Sequence, residues 1–293
     1  MLHPDFAALA EQLRVRYPEG EARSVARIVQ EDAFGIKHAQ APPLAPEERL
    51  KLAAIGRRLL AGEPVQYVMG VAQFMGRMFA VSPAVLIPRQ ETEELTAHAL
   101  SLLPPSSHDP RAPANRLRVL DIGTGSGCIA VTIRLRRPDT EVWAMDLSAG
   151  ALGVARQNAR NLLGDPDGMR WIHGDVGDPA VCAILPDAGF DLIVSNPPYI
   201  PRREVDLVAE QTRLYEPHLA LFTDDEDPLF FYRVIARLAR AKLKPGGLLL
   251  FECNEFNAPE ALALVQSEGY ADAILTRDLS GAWRILQGRS VLG

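Results

Sequence analysis

Residues 117–127, Leu-Arg-Val-Leu-Asp-Ile-Gly-Thr-Gly-Ser-Gly, run an apolar segment straight into three alternating glycines, and an apolar helical pattern follows from Cys128. Glycine lets a backbone turn sharply and pass close to another group, and the first turn of a helix presents N–H groups with no partner of their own. A strand that turns on glycines into a helix is the first half of a βαβ unit, and the next strand must then lie parallel to it in the same sheet. Short apolar runs recur at 141–145, 169–173, 190–195, 247–252, 271–276 and 282–287. Helical patterns lie between them at 128–136, 149–162, 178–184, 228–242 and 259–268, and Lys244-Pro245-Gly246-Gly247 is the expected stop after the fourth. Seven strands with interposed helices predict an α/β fold on one mostly parallel sheet.

The first quarter of the chain has a different texture. Phe6, Leu9 and Leu13, then Val25, Ile28 and Val29, then Leu50, Leu52, Ile55 and Leu59 fall at helical spacing, with breaks at Pro18-Glu19-Gly20 and Ala41-Pro42-Pro43. A small helical bundle is expected over 1–64, either a stabilising extension or a docking surface for a macromolecular substrate. Residues 73–81 alternate around Gly76, which predicts a β-hairpin within a linker at 65–90. A helix over 91–103 opens the main domain, 91–293, and the Pro- and Ser-rich stretch at 104–115 reads as a mobile surface loop.

Charge narrows the partners. The net charge of −6 argues against broad binding to a phosphate backbone, so no direct nucleic-acid contact is expected. Cys128, Cys182 and Cys253 lack the spacing of a metal site or a disulfide framework, and no metal is expected. They read as buried thiols in a reducing compartment. No basic segment followed by an apolar run opens the chain and no stretch reaches the length of a membrane span, so a cytoplasmic protein, with a monomer favoured, is the expectation.

Two groups of residues carry chemistry. The first is the glycine turn with Asp146 at the end of the second strand and Gly174-Asp175-Val176 at the end of the third, placed to meet ribose hydroxyls and an adenine amino group. A dehydrogenase would share Asp146, and either acid could instead cap a helix or loop. The second is Asn196-Pro197-Pro198-Tyr199, directly after the apolar strand 190–195. In an open α/β sheet, ligands sit beyond the carboxyl ends of the strands, so both groups belong in one cleft. The prolines remove two N–H donors and stiffen the loop, leaving carbonyls as acceptors.

That loop suits a planar amide or amino nitrogen. Such a nitrogen is a poor nucleophile because its lone pair is delocalised. If the Asn196 side-chain oxygen and the Pro197 carbonyl accept its two N–H bonds, they orient it and oppose its growing positive charge. Tyr199 can cover the flat face and help exclude water.

These residues together resemble the HemK/PrmC family, protein-(glutamine-N5) methyltransferases that modify peptide chain release factors. The alternating glycines behind Asp121 resemble the first motif of class I S-adenosylmethionine-dependent methyltransferases, whose sheet is Rossmann-like. The likeness extends to Gly62-Glu63-Pro64-Val65-Gln66-Tyr67-Val68 with Gly70, Val81-Ser82-Pro83-Ala84-Val85-Leu86-Ile87-Pro88-Arg89-Gln90-Glu91-Thr92-Glu93, and Tyr215-Glu216-Pro217 with Ala220-Leu221. Tyr232-Arg233 and a tail with Asp278, Gly281 and Arg284 complete it.

The resemblance implies the cofactor S-adenosylmethionine, bound by Asp121, Gly123, Thr124, Gly125, Gly127, Asp146 and Asp175 and touched by Asn196. It implies Asn196, Pro197, Pro198 and Tyr199 as the catalytic loop around a release-factor glutamine, with about the first 64 residues as docking surface. It favours a release factor over a ribosomal-protein glutamine. Amino methylation of adenine in nucleic acid poses the same hydrogen-bonding problem and stays open, as does a non-catalytic cofactor-binding activator. The chain departs from the family pattern at 222–229 and at 253–257, which bears on the outer wall of the acceptor pocket.

Overall fold

The computed structural model describes residues 1–105, 116–165 and 168–291. The loop expected at 104–115 lies, from residue 106 onward, outside the described residues. The chain divides into two compact units, Met1–Val71 with Ala209–Tyr215, and Ala72–Val208 with Glu216–Gly293.

The first unit holds α1 (Pro4–Leu13), α2 (Glu19–Ile28), α3 (Pro46–Leu60) and α4 (Val65–Met69). In α1, Pro4 sits where no N–H is needed and His3 Nδ1 accepts the Asp5 N–H at 3.4 Å. Its buried residues Phe6, Leu9, Ala10 and Leu13 form one stripe. The Glu48 carboxylate accepts the Ala45 N–H at 2.8 Å and opens α3.

Two residues expected inside are not. Ile28 is 37% exposed because the buried stripe of α2 runs through Ala22, Val25 and Ala26, on to Val29 just beyond its end, and leaves it to one side. Leu50 is 72% exposed, since it lies about two and a half turns from the buried Leu59 and so on the opposite side of α3. Helix α4 is also new, within a stretch expected as a linker; Gly70, left-handed at φ 72°, ends it. Segment 209–215 joins this unit from far along the chain. Gln211 Nε2 donates to the Tyr17 hydroxyl at 3.0 Å and to the Gly62 carbonyl at 3.1 Å, and the Tyr215 hydroxyl donates to the Ala61 carbonyl at 2.8 Å.

The second unit opens on the hairpin β1 (Val71–Phe74) and β2 (Arg77–Ala80), whose turn residues Met75 and Gly76 have φ of 46° and 77°, the left-handed pair a two-residue turn requires. After α5 (Gln90–Leu102), the chain alternates β3 (Leu117–Ile122), α6 (Cys128–Arg136), β4 (Thr140–Asp146), α7 (Ala149–Leu163), β5 (Arg170–His173), α8 (Pro179–Cys182) and β6 (Phe190–Ser195). Short elements follow: β7 (Ile200–Pro201), α9 (Glu210–Tyr215), which belongs to the first unit, α10 (His218–Leu221) and β8 (Phe222–Thr223). The unit closes with α11 (Phe230–Lys242), β9 (Leu243–Glu252), α12 (Ala258–Ser267), β10 (Ala271–Arg277) and β11 (Trp283–Arg289).

The main sheet has seven strands in the order β10-β11-β9-β6-β3-β4-β5. Strands β5, β4, β3, β6 and β9 run parallel to one another, and β11 is antiparallel to both β9 and β10. Both faces are covered, so the central strands read as unbroken apolar runs. Val119, Leu192, Val194 and Leu250 pack with residues of α5, α6 and α7, while Leu120, Ile193, Leu249 and Phe251 pack with residues of α11 and α12.

One boundary differs from expectation. Strand β9 begins at Leu243, which pairs with Phe190, before Lys244-Pro245-Gly246-Gly247; the next pair is Leu248 with Leu192. The four residues between bulge out against Asp191 alone, and Lys244 Nζ holds both Asp191 carboxylate oxygens at 2.9 and 2.8 Å. The chain leaves β3 toward β4 and β5, then crosses back to β6 on the other side. The carboxyl ends of β3 and β6 therefore form the switch point where ligands bind in sheets of this kind.

Candidate active site

A cavity of about 1130 Å³, counted out to its open mouth, lies at that switch point. Three loops build its floor: the glycine turn after β3, the end of β4 at Asp146, and the loop after β6. The segment before α5, from Ala84 to Arg89, forms another wall with Thr92 of the first turn of α5, and Phe231 and Ile235 of α11 add apolar surface.

Gly123, Thr124 and Gly125 line the cavity. Gly125, at φ 54°, donates its N–H to Asp146 Oδ2 at 2.8 Å, and Asp146 Oδ1 accepts the Ser148 N–H at 2.8 Å. Asp146 thus ties the turn to the end of β4 while still lining the cavity. Burial holds its carboxyl above the usual range, against the two backbone hydrogen bonds. Asp175 also lines the cavity, as an exposed residue whose Oδ1 accepts the Gly177 N–H at 2.7 Å.

Asp121 and Gly127 are not on the cavity wall. Asp121 is fully buried beneath the turn, where its Oδ2 accepts the Thr124 hydroxyl at 2.6 Å and the Ala130 N–H at 3.2 Å. Burial pushes its carboxyl up to about 7. Gly127, at φ 78°, faces α7; a Cβ there would meet Ala155 Cβ at 3.0 Å and Val131 Cγ2 at 3.3 Å. Both residues shape the turn from behind, and their spacing in the sequence is the same as if they faced a ligand.

Asn196, Pro197 and Pro198 line the cavity beside the turn. Asn196 Nδ2 donates to Thr92 Oγ1 at 3.1 Å, and Thr92 Oγ1 donates to Glu252 Oε2 at 2.7 Å. Tyr199 is not on the cavity wall; partly buried, it packs against the core cluster to which α11 and β9 contribute, its hydroxyl directed at Glu252 Oε1 at 3.4 Å. Two consecutive prolines settle the loop's stiffness, but which way the next side chain points depends on packing partners far along the chain.

The sequence reading gave several contributors no role of their own. Thr92 and Glu252 stand behind Asn196; Thr92 lies in the quoted 81–93 motif, and the signal for Glu252 was an acid closing the apolar run Leu248-Leu249-Leu250-Phe251. Glu216 is buried, accepts the Ile87 N–H at 3.1 Å and pairs with Arg89 at 2.5 Å, which pins the wall before α5. Asn158 of α7 accepts the Ala80 N–H at 2.7 Å and donates to the carbonyls of Ala80 and Ser126 at 2.9 and 2.8 Å, fastening the hairpin to the glycine turn.

The two departures from the family pattern are placed as well. Phe222 and Thr223 pair with Ile200 and Pro201, Asp225 Oδ1 accepts the Arg203 N–H at 2.7 Å, and Asp227 pairs with Arg233. Asn254 is buried with Nδ2 3.5 Å from the Tyr199 carbonyl, whereas Phe256 is 76% exposed.

Comparison with known proteins agrees with this geometry. Residues 108–221 match the family described as methyltransferase small domain. A release factor glutamine methyltransferase of Bacteroides thetaiotaomicron is 37% identical over 285 residues, covering 96% of this chain and 97% of the relative. One of Chlorobaculum tepidum is 42% identical over 239 residues, covering 80% of this chain and 78% of the relative. Among solved structures, a methyltransferase from Pyrococcus furiosus aligns with 85% of this chain and all of its own, with a TM-score of 0.51 at 15% identity, which speaks to the fold alone. With relatives this similar over 78% to 97% of their length, and the glycine turn and Asn-Pro-Pro loop meeting in one cavity, the chain belongs to the family of release factor glutamine methyltransferases.

Proposed function

We propose that this chain transfers a methyl group from S-adenosylmethionine to the side-chain nitrogen of a glutamine in a peptide chain release factor. The observation that carries the reading is the convergence of Asn196-Pro197-Pro198 with the Gly123-to-Gly125 turn and Asp146 on one cavity at the switch point of the sheet.

The residues fit the cofactor. Each oxygen of Asp146 takes one backbone N–H and keeps acceptor capacity toward the cavity, which suits the paired hydroxyls of a ribose. Asp175 has a carboxylate oxygen to spare beyond its turn with Gly177, placed for an adenine amino group. Met145 and Ile129 supply apolar surface for the base, and the cavity is roomy enough to admit a nucleoside. When bound, the cofactor supplies an electrophilic methyl group on a sulfonium.

The chain's own residues supply positioning. Asn196 Oδ1 and the Pro197 carbonyl accept the two amide N–H bonds of the glutamine, hold its nitrogen in line, and oppose the positive charge that develops there. Because Pro197 and Pro198 have no N–H, the loop offers the substrate acceptors without competing donors. The apolar wall from Val85 to Ile87 excludes water, which strengthens both hydrogen bonds.

The test is transfer of a labelled methyl group to a panel of acceptors. Labelling of a release factor at one glutamine supports the reading; labelling of DNA, ribosomal RNA or a ribosomal protein instead overturns it. The N-terminal unit is read as the surface that docks the release factor, in a cytoplasmic enzyme. Among the described residues no helix is long and apolar enough to cross a membrane.

A further inference from the structure

Asn196 can serve the acceptor amide only if its carbonyl end, not its NH₂ end, faces the cavity. Its two ends differ little in shape, so the choice is made by what the other end meets. Here the NH₂ end meets Thr92 Oγ1 at 3.1 Å, and Thr92 in turn spends its single hydroxyl proton on Glu252 Oε2 at 2.7 Å. Thr92 and Glu252 are both buried, at 3% and 1% exposure.

We propose that Thr92 and Glu252 are positioning residues that set the orientation of Asn196 through a one-way chain of hydrogen bonds, and so set the capture of the substrate amide. The inference rests on the reading of Asn196 as an acceptor for that amide. An ionised Glu252 has no proton to give, so Thr92 must donate to it. The Thr92 oxygen is left only to accept, Asn196 must present NH₂ to it, and Oδ1 turns to the cavity. Among the described residues no group donates to Asn196 Oδ1, which leaves it to the substrate.

Protonation of Glu252 removes the rule. A protonated carboxyl can donate to Thr92, which frees the Thr92 proton to point at Asn196 and lets the amide sit either way round. Several groups face Glu252. Thr92 and Glu91 approach from α5, Tyr199 from the loop after β6, Cys128 from the start of α6, and Arg284 from β11. The Tyr232 hydroxyl of α11 donates to its backbone carbonyl at 3.2 Å. Arg284 is already held by Asp278 at 3.0 Å and by the Cys253 carbonyl at 3.0 Å, so it favours the Glu252 anion only from a distance. Burial outweighs this help and the Thr92 hydrogen bond, and the carboxyl lies at about 7. The chain of hydrogen bonds is therefore one-way above neutrality and loses its direction below it.

The experiment uses the full-length enzyme with labelled S-adenosylmethionine and a release factor. Thr92→Val keeps the shape and removes the hydroxyl; Thr92→Ser keeps the hydroxyl. Thr92→Val is expected to lower kcat on the order of 10–100-fold, as for a misplaced reacting group. Cofactor Kd should stay within about 2-fold and Thr92→Ser should restore kcat to within about 3-fold, both far inside that loss. In the wild type, kcat should fall below about pH 7, and Glu252→Gln should flatten that limb. Equal kcat for Thr92→Val and Thr92→Ser, with both melting like the wild type, would overturn the proposal, as would an acid limb that survives Glu252→Gln. A wild type that labels no release factor would instead strike the functional reading beneath it.

Discussion

Asp146 Oδ2 accepts the Gly125 N–H at 2.8 Å, so the acid that ends β4 also fixes the shape of the turn that ends β3. One side chain thereby does two jobs, and substitutions should separate them. Asp146→Asn keeps an oxygen for Gly125 but removes the charge, and should raise the Kd for S-adenosylmethionine about 10-fold, as loss of a charge-assisted hydrogen bond does. Asp146→Ala loses both jobs and should raise Kd about 10-fold further. Calorimetric titration of both variants checks the order; equal effects would mean that Asp146 acts only on the turn.

Gly127 and Gly125 both have positive φ but different surroundings. At Gly125 an added Cβ meets nothing within 4 Å, whereas at Gly127 it meets Ala155 Cβ at 3.0 Å. Gly127→Ala should therefore cost about 2–3 kcal/mol, strain plus overpacking, and Gly125→Ala about 1 kcal/mol. Urea unfolding of the two variants gives the difference. The smaller structural loss at Gly125 should come with the larger loss of cofactor affinity, because that residue faces the cavity.

Asn196→Ala should abolish methyl transfer while cofactor Kd changes by less than about 3-fold, since the contact read for it is to the substrate. Single-turnover transfer and equilibrium dialysis report the two quantities separately. A collapse of cofactor binding would move Asn196 from the acceptor to the cofactor.

Burial raises Asp121 to about 7, well above an unfolded carboxyl near 4. The folded state therefore favours the protonated form. That contribution to stability is complete below about pH 4 and is lost as pH rises through about 7. Glu252 behaves the same way. Thermal stability should decline between about pH 4 and pH 7 even as activity rises, by roughly 1–3 kcal/mol. Asp121→Asn, uncharged throughout, should flatten part of that decline in a melting series across the range.

Asn158 makes three hydrogen bonds from a buried position, two to Ala80 and one to Ser126. Asn158→Ala leaves those backbone groups unpaired and should destabilise the protein by about 2–4 kcal/mol. Asn158→Asp keeps the acceptor for the Ala80 N–H but loses the donor to both carbonyls, and should cost at least as much. Hydrogen exchange at Ala80 distinguishes them, with protection lost only in the alanine variant.

What was legible beforehand was what is local. The run into Gly123 and the stop before Pro197 each lie within about ten residues, and strand and turn chemistry act on that scale. Helix α4 was hidden because Val65 to Met69 is too short to show a period, and Leu50 misled because an apolar residue near a stripe looks like part of it. Tyr199 and Gly127 were recognised as special, yet neither is on the cavity wall: a positive φ or a conspicuous ring identifies a constrained site without saying whether ligand or core imposes the constraint. Thr92 and Glu252, 160 residues apart, share no local pattern, and only the sheet brings them within 2.7 Å.

The helical unit is not finished where its first four helices end. Gln211 and Tyr215 complete it, by hydrogen bonds to Tyr17, Gly62 and Ala61. On a ribosome making the chain from its N-terminus, these helices emerge early and wait while most of the parallel sheet is synthesised. Until residue 215 appears, the end of α3 and Tyr17 lack their partners, so the unit's last folding step is timed by the synthesis of the other one.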